Sequence, residues 1–159
     1  MIEIQNISKQ FDGRVILEDI SAVMEAGKCN LIIGTSGSGK TVLTKCMVGL
    51  FCPDNGAILY SGENMMKMES DQRKLLRQQI GMLFQGTALF DSMTVEQNVL
   101  FPLNMFTKWT LAEKKKRVNE VLDRVNLKDA HKRYPSEISG GMKKRVGIAR
   151  SIVLNPKYL

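Results

Sequence analysis

The feature that most constrains this chain is a run of Gly34, Thr35, Ser36, Gly37, Ser38, Gly39, Lys40 and Thr41 between two apolar stretches. Before it, residues 29–33 read Cys-Asn-Leu-Ile-Ile, a short segment of the kind that forms a strand buried on both faces. After it, Val42, Leu43, Cys46, Met47 and Leu50 recur at helical spacing over residues 40–50, and Pro53 with Asp54, Asn55 and Gly56 stops that helix. The run fits the pattern GxxxxGK followed by Ser or Thr, which arises by chance about once in two hundred chains of this size. Its flanking strand and helix are the context the pattern needs. The chemistry it serves is holding a polyphosphate. Glycines let the backbone wrap closely, so that N–H groups and the positive end of the following helix point at anionic oxygens. Lys40 is placed to reach the β- and γ-phosphates and the Thr41 hydroxyl to coordinate Mg²⁺. The expected ligands are ATP and Mg²⁺.

The rest of the chain surrounds this loop with an α/β pattern. Ile2 and Ile4 alternate with polar neighbours, residues 15–24 form a second extended stretch, and Asp12 and Gly13 between them predict an antiparallel pair. Residues 57–60 predict a further strand, 70–79 a polar helix, and 80–84 a strand ending on Gln85. From 94 to 132 the pattern is almost wholly helical. Thr94 with Gln97, and Thr110 with Glu113, each match a capping box, and Val118, Val121, Leu122 and Val125 make one apolar face. Tyr134 and Pro135 break this pattern. Ser139, Gly140 and Gly141 then open a last helix whose Val146, Ala149, Ile152 and Val153 face a core, and residues 157–159 look like the beginning of a strand. The expected fold is a P-loop α/β core with an N-terminal antiparallel β part and an inserted α-helical subdomain, incomplete at the C-terminus. Residues 1–85 and 134–159 belong to the core and 86–133 to the helical subdomain.

Composition removes several classes. With 159 residues, 43% hydrophobic and 25% charged, the chain is long enough for one domain with a real core, and no biased tract suggests disorder. Its start has neither a basic n-region nor an apolar h-region, and no apolar run approaches the ~20 residues that cross a bilayer. Cys29, Cys46 and Cys52 form no CxxC pair and sit in apolar runs, where thiols behave as small buried hydrophobes, which fits a reducing compartment. The formal charge of +7 suits nucleic acid, anionic headgroups or a phosphorylated ligand equally. Lys114, Lys115, Lys116 and Arg117 lie on an amphipathic helix and read first as a solvated face; without aromatic interleaving, nucleic acid is a minor option. His131, the only histidine, has no partner at ligand spacing and reads as a surface residue.

Three further stretches carry a resemblance. Ile138, Ser139, Gly140, Gly141 and Met142, leading into Lys143, Lys144 and Arg145, resemble the signature motif of the ABC transporter ATPases, which usually reads LSGGQ. Alone, Ser-Gly-Gly is read sooner as a helix cap; beside a P-loop it reads as a second phosphate contact at a helix N-terminus. Residues 80–85, ending on Gln85, resemble the Q-loop, and Phe11 stands where the family places the aromatic that stacks on adenine. The stretch GTALFDSMTVEQNVLFPL and the SGGMKKR form of the signature look most like the Mla and Mce-type phospholipid transport ATPases, with Met142 in place of the usual glutamine and Asp91 in place of a frequent proline.

The resemblance implies an ATP-binding subunit that couples ATP binding and hydrolysis to transport, with lipid as the cargo, through separate membrane permease subunits. It implies Lys40 and Gln85 as catalytic residues, Thr41 and Gln85 at Mg²⁺, and Phe11, the loop from Gly34 to Thr41, Ser139, Gly140, Gly141 and Met142 at ATP. The working unit would be a homodimer, peripheral on the cytoplasmic face of the cell membrane, with no direct nucleic acid contact. The family's Walker B strand, D-loop and switch histidine have no counterpart in these residues, so a truncated chain with negligible hydrolysis is expected. Other readings stay open: a non-transport ABC ATPase of the DNA-repair or translation-factor type, and a non-hydrolysing nucleotide-binding fragment.

Overall fold

The computed structural model describes residues 1–159, which divide into two compact units, residues 1–74 and 75–159. In the first, β1 (Ile2–Phe11) and β2 (Arg14–Met24) form the expected antiparallel hairpin, with Ile2 opposite Met24 and Phe11 opposite Arg14. Its turn residues Asp12 and Gly13 take φ of 48° and 78°, the left-handed pair that matches the twist of a two-residue hairpin. β3 (Asn55–Tyr60) pairs antiparallel with β1, placing Ile58 opposite Ile4, and β4 (Glu63–Asn64) pairs with β3, so the sheet order is β2-β1-β3-β4. Ile4, Ile7, Leu17 and Ile58 are buried. α1 (Lys40–Met47) contributes Leu43 and Cys46 to the buried residues, and the Tyr60 hydroxyl donates to the Met47 carbonyl (2.7 Å), tying β3 to the helix end.

Three expectations in this unit need correction. Residues 29–33 form no strand, and Leu31 and Ile33 are each 81% exposed. Apolar content favours burial, but a strand also needs a neighbouring ladder for its N–H and C=O groups, and none of the four strands pairs with this segment. Asn30 instead closes a local loop: its Oδ1 accepts from the Glu25 N–H (3.1 Å) and its Nδ2 donates to the Glu25 carbonyl (3.0 Å). Only Cys46 is buried, which raises its thiol pKa by desolvation; Cys29 and Cys52 lie in loops and are exposed. The helix predicted to Leu50 ends at Met47, because Gly49 (φ 72°) turns the chain and the Leu50 N–H folds back to the Lys45 carbonyl (2.9 Å).

α2 (Ser70–Gln78) runs across the division of the chain. The second unit is built on α3 (Val95–Phe106), α4 (Leu111–Arg124) and α5 (Gly140–Ile152). Both capping boxes are present: Thr94 and Gln97 exchange hydrogen bonds of 3.3 and 2.8 Å, and Thr110 and Glu113 exchange bonds of 3.3 and 2.7 Å. Val95, Val99 and Leu103 of α3 pack with Val118, Val121 and Leu122 of α4 and with Val146, Ala149 and Val153 at α5. Each such side chain stabilises the unit by roughly 1.5–3 kcal/mol when it is a Val or Leu fully withdrawn from water. Arg117 leaves the solvated face expected of its basic run. Its guanidinium donates to the Val153 (2.9 Å) and Ile152 (3.1 Å) carbonyls, satisfying the end of α5.

The strand expected over residues 80–84 reduces to one parallel bridge, Ile80 opposite Tyr158. Gly81 N–H donates to the Tyr158 carbonyl (2.8 Å) and Tyr158 N–H to the Gln79 carbonyl (3.0 Å), so the strand expected to begin at residues 157–159 is likewise present only as this bridge. Beyond this bridge the segment 81–84 has no partner along which a ladder could continue.

Candidate nucleotide-binding site

The P-loop folds around its own lysine. Lys40 Nζ donates to the carbonyls of Gly34 (2.9 Å) and Thr35 (2.6 Å) and lies 3.4 Å from Ser38 Oγ, so the ammonium sits inside the loop that precedes it. A turn between Thr35 and Ser38 (3.3 Å) shapes the loop, with Ser36 and Gly37 at its exposed corner. Gly37 takes φ 81° and Gly39 takes φ 84°, values at which a side chain is strained. Gly39 has a second constraint. A Cβ there would meet the Ile16 carbonyl and Leu17 Cδ2, each at 2.9 Å, so the loop is seated directly on β2.

Because Gly39 is the N-cap of α1, no side chain caps that helix, and its first turn carries no acid. The first-turn amides therefore have no side-chain acceptor, and Lys40 and the exposed Thr41 are the first two residues of the helix. These residues fit a nucleotide polyphosphate: donors and a cation converge, and the glycines leave room for anionic oxygens. The hard oxygen of Thr41 fits Mg²⁺, which shares its remaining ligands with phosphate and water. Phe11, at the end of β1, stands edge-on to Phe51 (ring centroids 5.3 Å) with Lys9 Nζ 5.2 Å from its ring centre. Phe11 as a residue is 37% exposed, which leaves surface for a stacked base.

Gln85 lies exposed in a turn of the second unit, closed by the Thr87 N–H on the Phe84 carbonyl (2.9 Å). Sequence reasoning missed what holds it. Thr87 and Ala88 both take left-handed φ, 62° and 48°, and Arg150 donates to both carbonyls, at 2.7 and 2.8 Å. The guanidinium is half-buried, which pulls its pKa down by desolvation, and it also faces the Phe90 ring at 5.9 Å. Gly147 sits beside the same turn, where a Cβ would lie 2.7 Å from Leu83 Cδ1. Asn98, fully buried, exchanges bonds with the Phe90 backbone and donates to the Met93 and Thr94 carbonyls. The signal for both was a polar residue on an apolar helix strip, Asn98 between Val95 and Val99, and Arg150 one turn after Val146.

Ser139 is the N-cap of α5, its Oγ accepting from the Met142 N–H (3.3 Å). Gly140 and Gly141 follow at the surface, and a Cβ on Gly140 would meet nothing within 4 Å. The Met142 side chain packs on the helical core instead of pointing outward. His131 is partly buried rather than free at the surface: its Nε2 lies 3.0 Å from Asn119 Oδ1, because the turn after α4 brings it back against that helix.

A strand hairpin, a Gly-rich loop with an inturned lysine, and an uncapped helix together define a P-loop nucleotide-binding protein. The ABC transporter family profile matches residues 17–159, and the chain belongs to that family. It is 39% identical over 158 residues to the probable ribonucleotide transport ATP-binding protein of Mycobacterium leprae, covering 99% of this chain and 46% of that protein. It is 42% identical to a methionine import ATP-binding protein of Pseudomonas entomophila, covering all of this chain and 49% of that protein. The chain thus spans about half the length of these curated relatives. Among solved structures, the dimeric bacterial ABC transporter cassette MJ0796 superposes with a TM-score of 0.89 at 27% identity, over 98% of this chain and 71% of that one. The same cassette in a post-hydrolysis state is bound to ADP and Pi. Members of this family bind ATP with Mg²⁺. No helix of the chain is long and apolar enough to cross a membrane.

Proposed function

We propose that this chain binds Mg·ATP at the loop from Gly34 to Thr41 and that the complete protein is the ATPase subunit of a transporter. The observation that carries this reading is the Lys40 ammonium held on the Gly34 and Thr35 carbonyls beside a helix start whose amides have no side-chain cap. On binding, the β- and γ-phosphates replace those carbonyls as acceptors, Thr41 ligates Mg²⁺, and Phe11 stacks on the base. Ser36, Ser38 and the glycines contribute backbone donors and room. Gln85 orients Mg²⁺ and the attacking water in the complete subunit. Phosphoryl transfer depends on positioning those two, and no residue here matches the family's Walker B acid. On this reading the chain alone binds ATP and hydrolyses it negligibly.

The working unit is a homodimer in which Ser139, Gly140, Gly141 and Met142 of one copy close over the P-loop of the other. Permease subunits at the cytoplasmic face of a membrane receive the motion through residues 85–106. An apolar cleft of about 450 Å³, lined by Phe84, Ala88, Phe90, Phe101 and Phe106 among others, gives that segment a surface to dock on. We assign lipid as the cargo on the stretch GTALFDSMTVEQNVLFPL and on Met142; the names of the relatives above specify ribonucleotide and methionine for those proteins. The deciding experiment is a titration of the chain with a fluorescent ATP analogue in the presence and absence of Mg²⁺. Saturable binding that unlabelled ATP displaces is expected, and binding unchanged by Lys40→Ala would refute the site.

A further inference from the structure

The connection between α3 and α4 gathers exposed apolar and basic side chains that the nucleotide site does not use. Met105 and Phe106 end α3, Trp109 lies in the connection, and Leu111 opens α4; Trp109 is 46% and Leu111 61% exposed. Lys114 Nζ donates to Asn104 Oδ1 (3.1 Å), which draws the start of α4 to the end of α3 and makes one tip of the two. Lys108 and Lys115 flank the apolar residues, and Lys115 lies one turn from Leu111 on the same strip of α4.

The charge of this tip is one-sided. Glu113 is the only acid from residue 100 to 118, and it is committed to Thr110. The chain's ion pairs are Lys9–Asp54, Lys28–Glu25 and Arg117–Glu120, so Lys108 and Lys115 have no carboxylate partner. Trp beside unpaired lysines matches a bilayer interface, where an indole sits at headgroup depth while lysine stems lie along apolar surface and their ammonium groups reach phosphate. A protein partner fits less well, since lysine is depleted at protein interfaces.

We propose that this tip docks on an anionic lipid surface, inserting Trp109 and Leu111 at headgroup depth with Lys108 and Lys115 on the lipid phosphates. The contact is independent of ATP and of any permease.

The chain carries its own reporter, because Trp109 is its only tryptophan. With vesicles of phosphatidylcholine containing a third phosphatidylglycerol, Trp109 emission shifts to the blue and becomes shielded from aqueous quencher. High salt reverses the shift. The double variant Lys108→Gln/Lys115→Gln, confined to exposed side chains, binds these vesicles about 25-fold more weakly, at roughly fivefold per lysine. Three results would overturn the proposal: an equal shift with pure phosphatidylcholine, flotation with vesicles while Trp109 emission stays fixed, or displacement of the bound vesicles by a single-stranded oligonucleotide that itself quenches Trp109. Unchanged ATP-analogue binding by the double variant separates loss of this contact from loss of the nucleotide site.

Discussion

Two helices of this chain start on glycine-rich turns, and they start differently. α1 begins at Gly39, left-handed and without a side-chain cap, so its first amides are left without a side-chain acceptor, and Lys40 turns its ammonium back onto the loop. α5 begins at Ser139, whose hydroxyl already accepts from the Met142 N–H. Both sequences carry the signs of an anion-binding helix start, yet the first has no side-chain cap at all and begins with Lys40, whereas the Ser139 cap takes up the Met142 amide of the second. The second is a self-satisfied helix start that offers an anion the amides of Gly140 and Gly141. On the proposed function the first takes up the phosphates and the second completes the site of a partner copy.

The largest test of this difference is Lys40→Ala. Loss of an ammonium that makes two charge-assisted bonds to phosphate costs about 3 kcal/mol, so ATP-analogue affinity should fall about 100-fold. Ser139→Ala should leave the affinity of the isolated chain unchanged. Equal losses in the two variants would erase the distinction between the helix starts. The glycines give the next test. At Gly39 an alanine meets both a strained φ of 84° and backbone at 2.9 Å, and the chain should lose about 2–3 kcal/mol of unfolding free energy. At Gly141 the nearest atom to a new Cβ is 3.9 Å away, so Gly141→Ala should stabilise α5 by about 0.5–1 kcal/mol. Denaturant melts of the two variants would check both signs. Smaller still is the cap: Ser139→Ala should lower stability by about 1 kcal/mol, roughly 3 °C in Tm, read by calorimetry.

Much of this contrast was legible in the sequence, because it depends on local chemistry. Glycine spacing, the Thr94 and Thr110 boxes and the apolar faces of α4 and α5 are fixed by residues within a few positions of one another, and all appear where expected. Segments whose fate depends on distant partners were not legible. Residues 29–33 have the composition of a buried strand, but composition does not say whether another strand lies alongside; here none does. Arg150 was hidden for a related reason. A charged residue on a helix normally reads as solvated, and only the three-dimensional approach of Thr87 and Ala88 reveals two carbonyls waiting for it. Gly147 belongs with it, since its role is to let Leu83 come close. The geometry of the loop from Gly34 to Thr41 could therefore be read directly, whereas the contacts that hold the turn at Gln85 could not.

The capping boxes extend the comparison to pH, and they provide their own control. The box on α4 ends in a carboxylate: the Thr110 hydroxyl and then its N–H hold Glu113 below its ordinary pKa near 4.5. The box on α3 ends in the neutral Gln97, which accepts from the Thr94 N–H at 2.8 Å. A depressed folded pKa means the folded state binds the proton less readily than the unfolded chain. The contribution of Glu113 is therefore complete above its unfolded value and is lost as pH falls through the lower folded value. Between neutral pH and pH 3, first-turn amides of α4 should lose hydrogen-exchange protection, while those of α3 keep theirs once intrinsic exchange rates are divided out. Glu113→Gln should remove the pH dependence and keep the cap, making α4 behave as α3 does. Parallel loss of protection in both helices of the native chain would mean that acid acts on the packed core and not on the box.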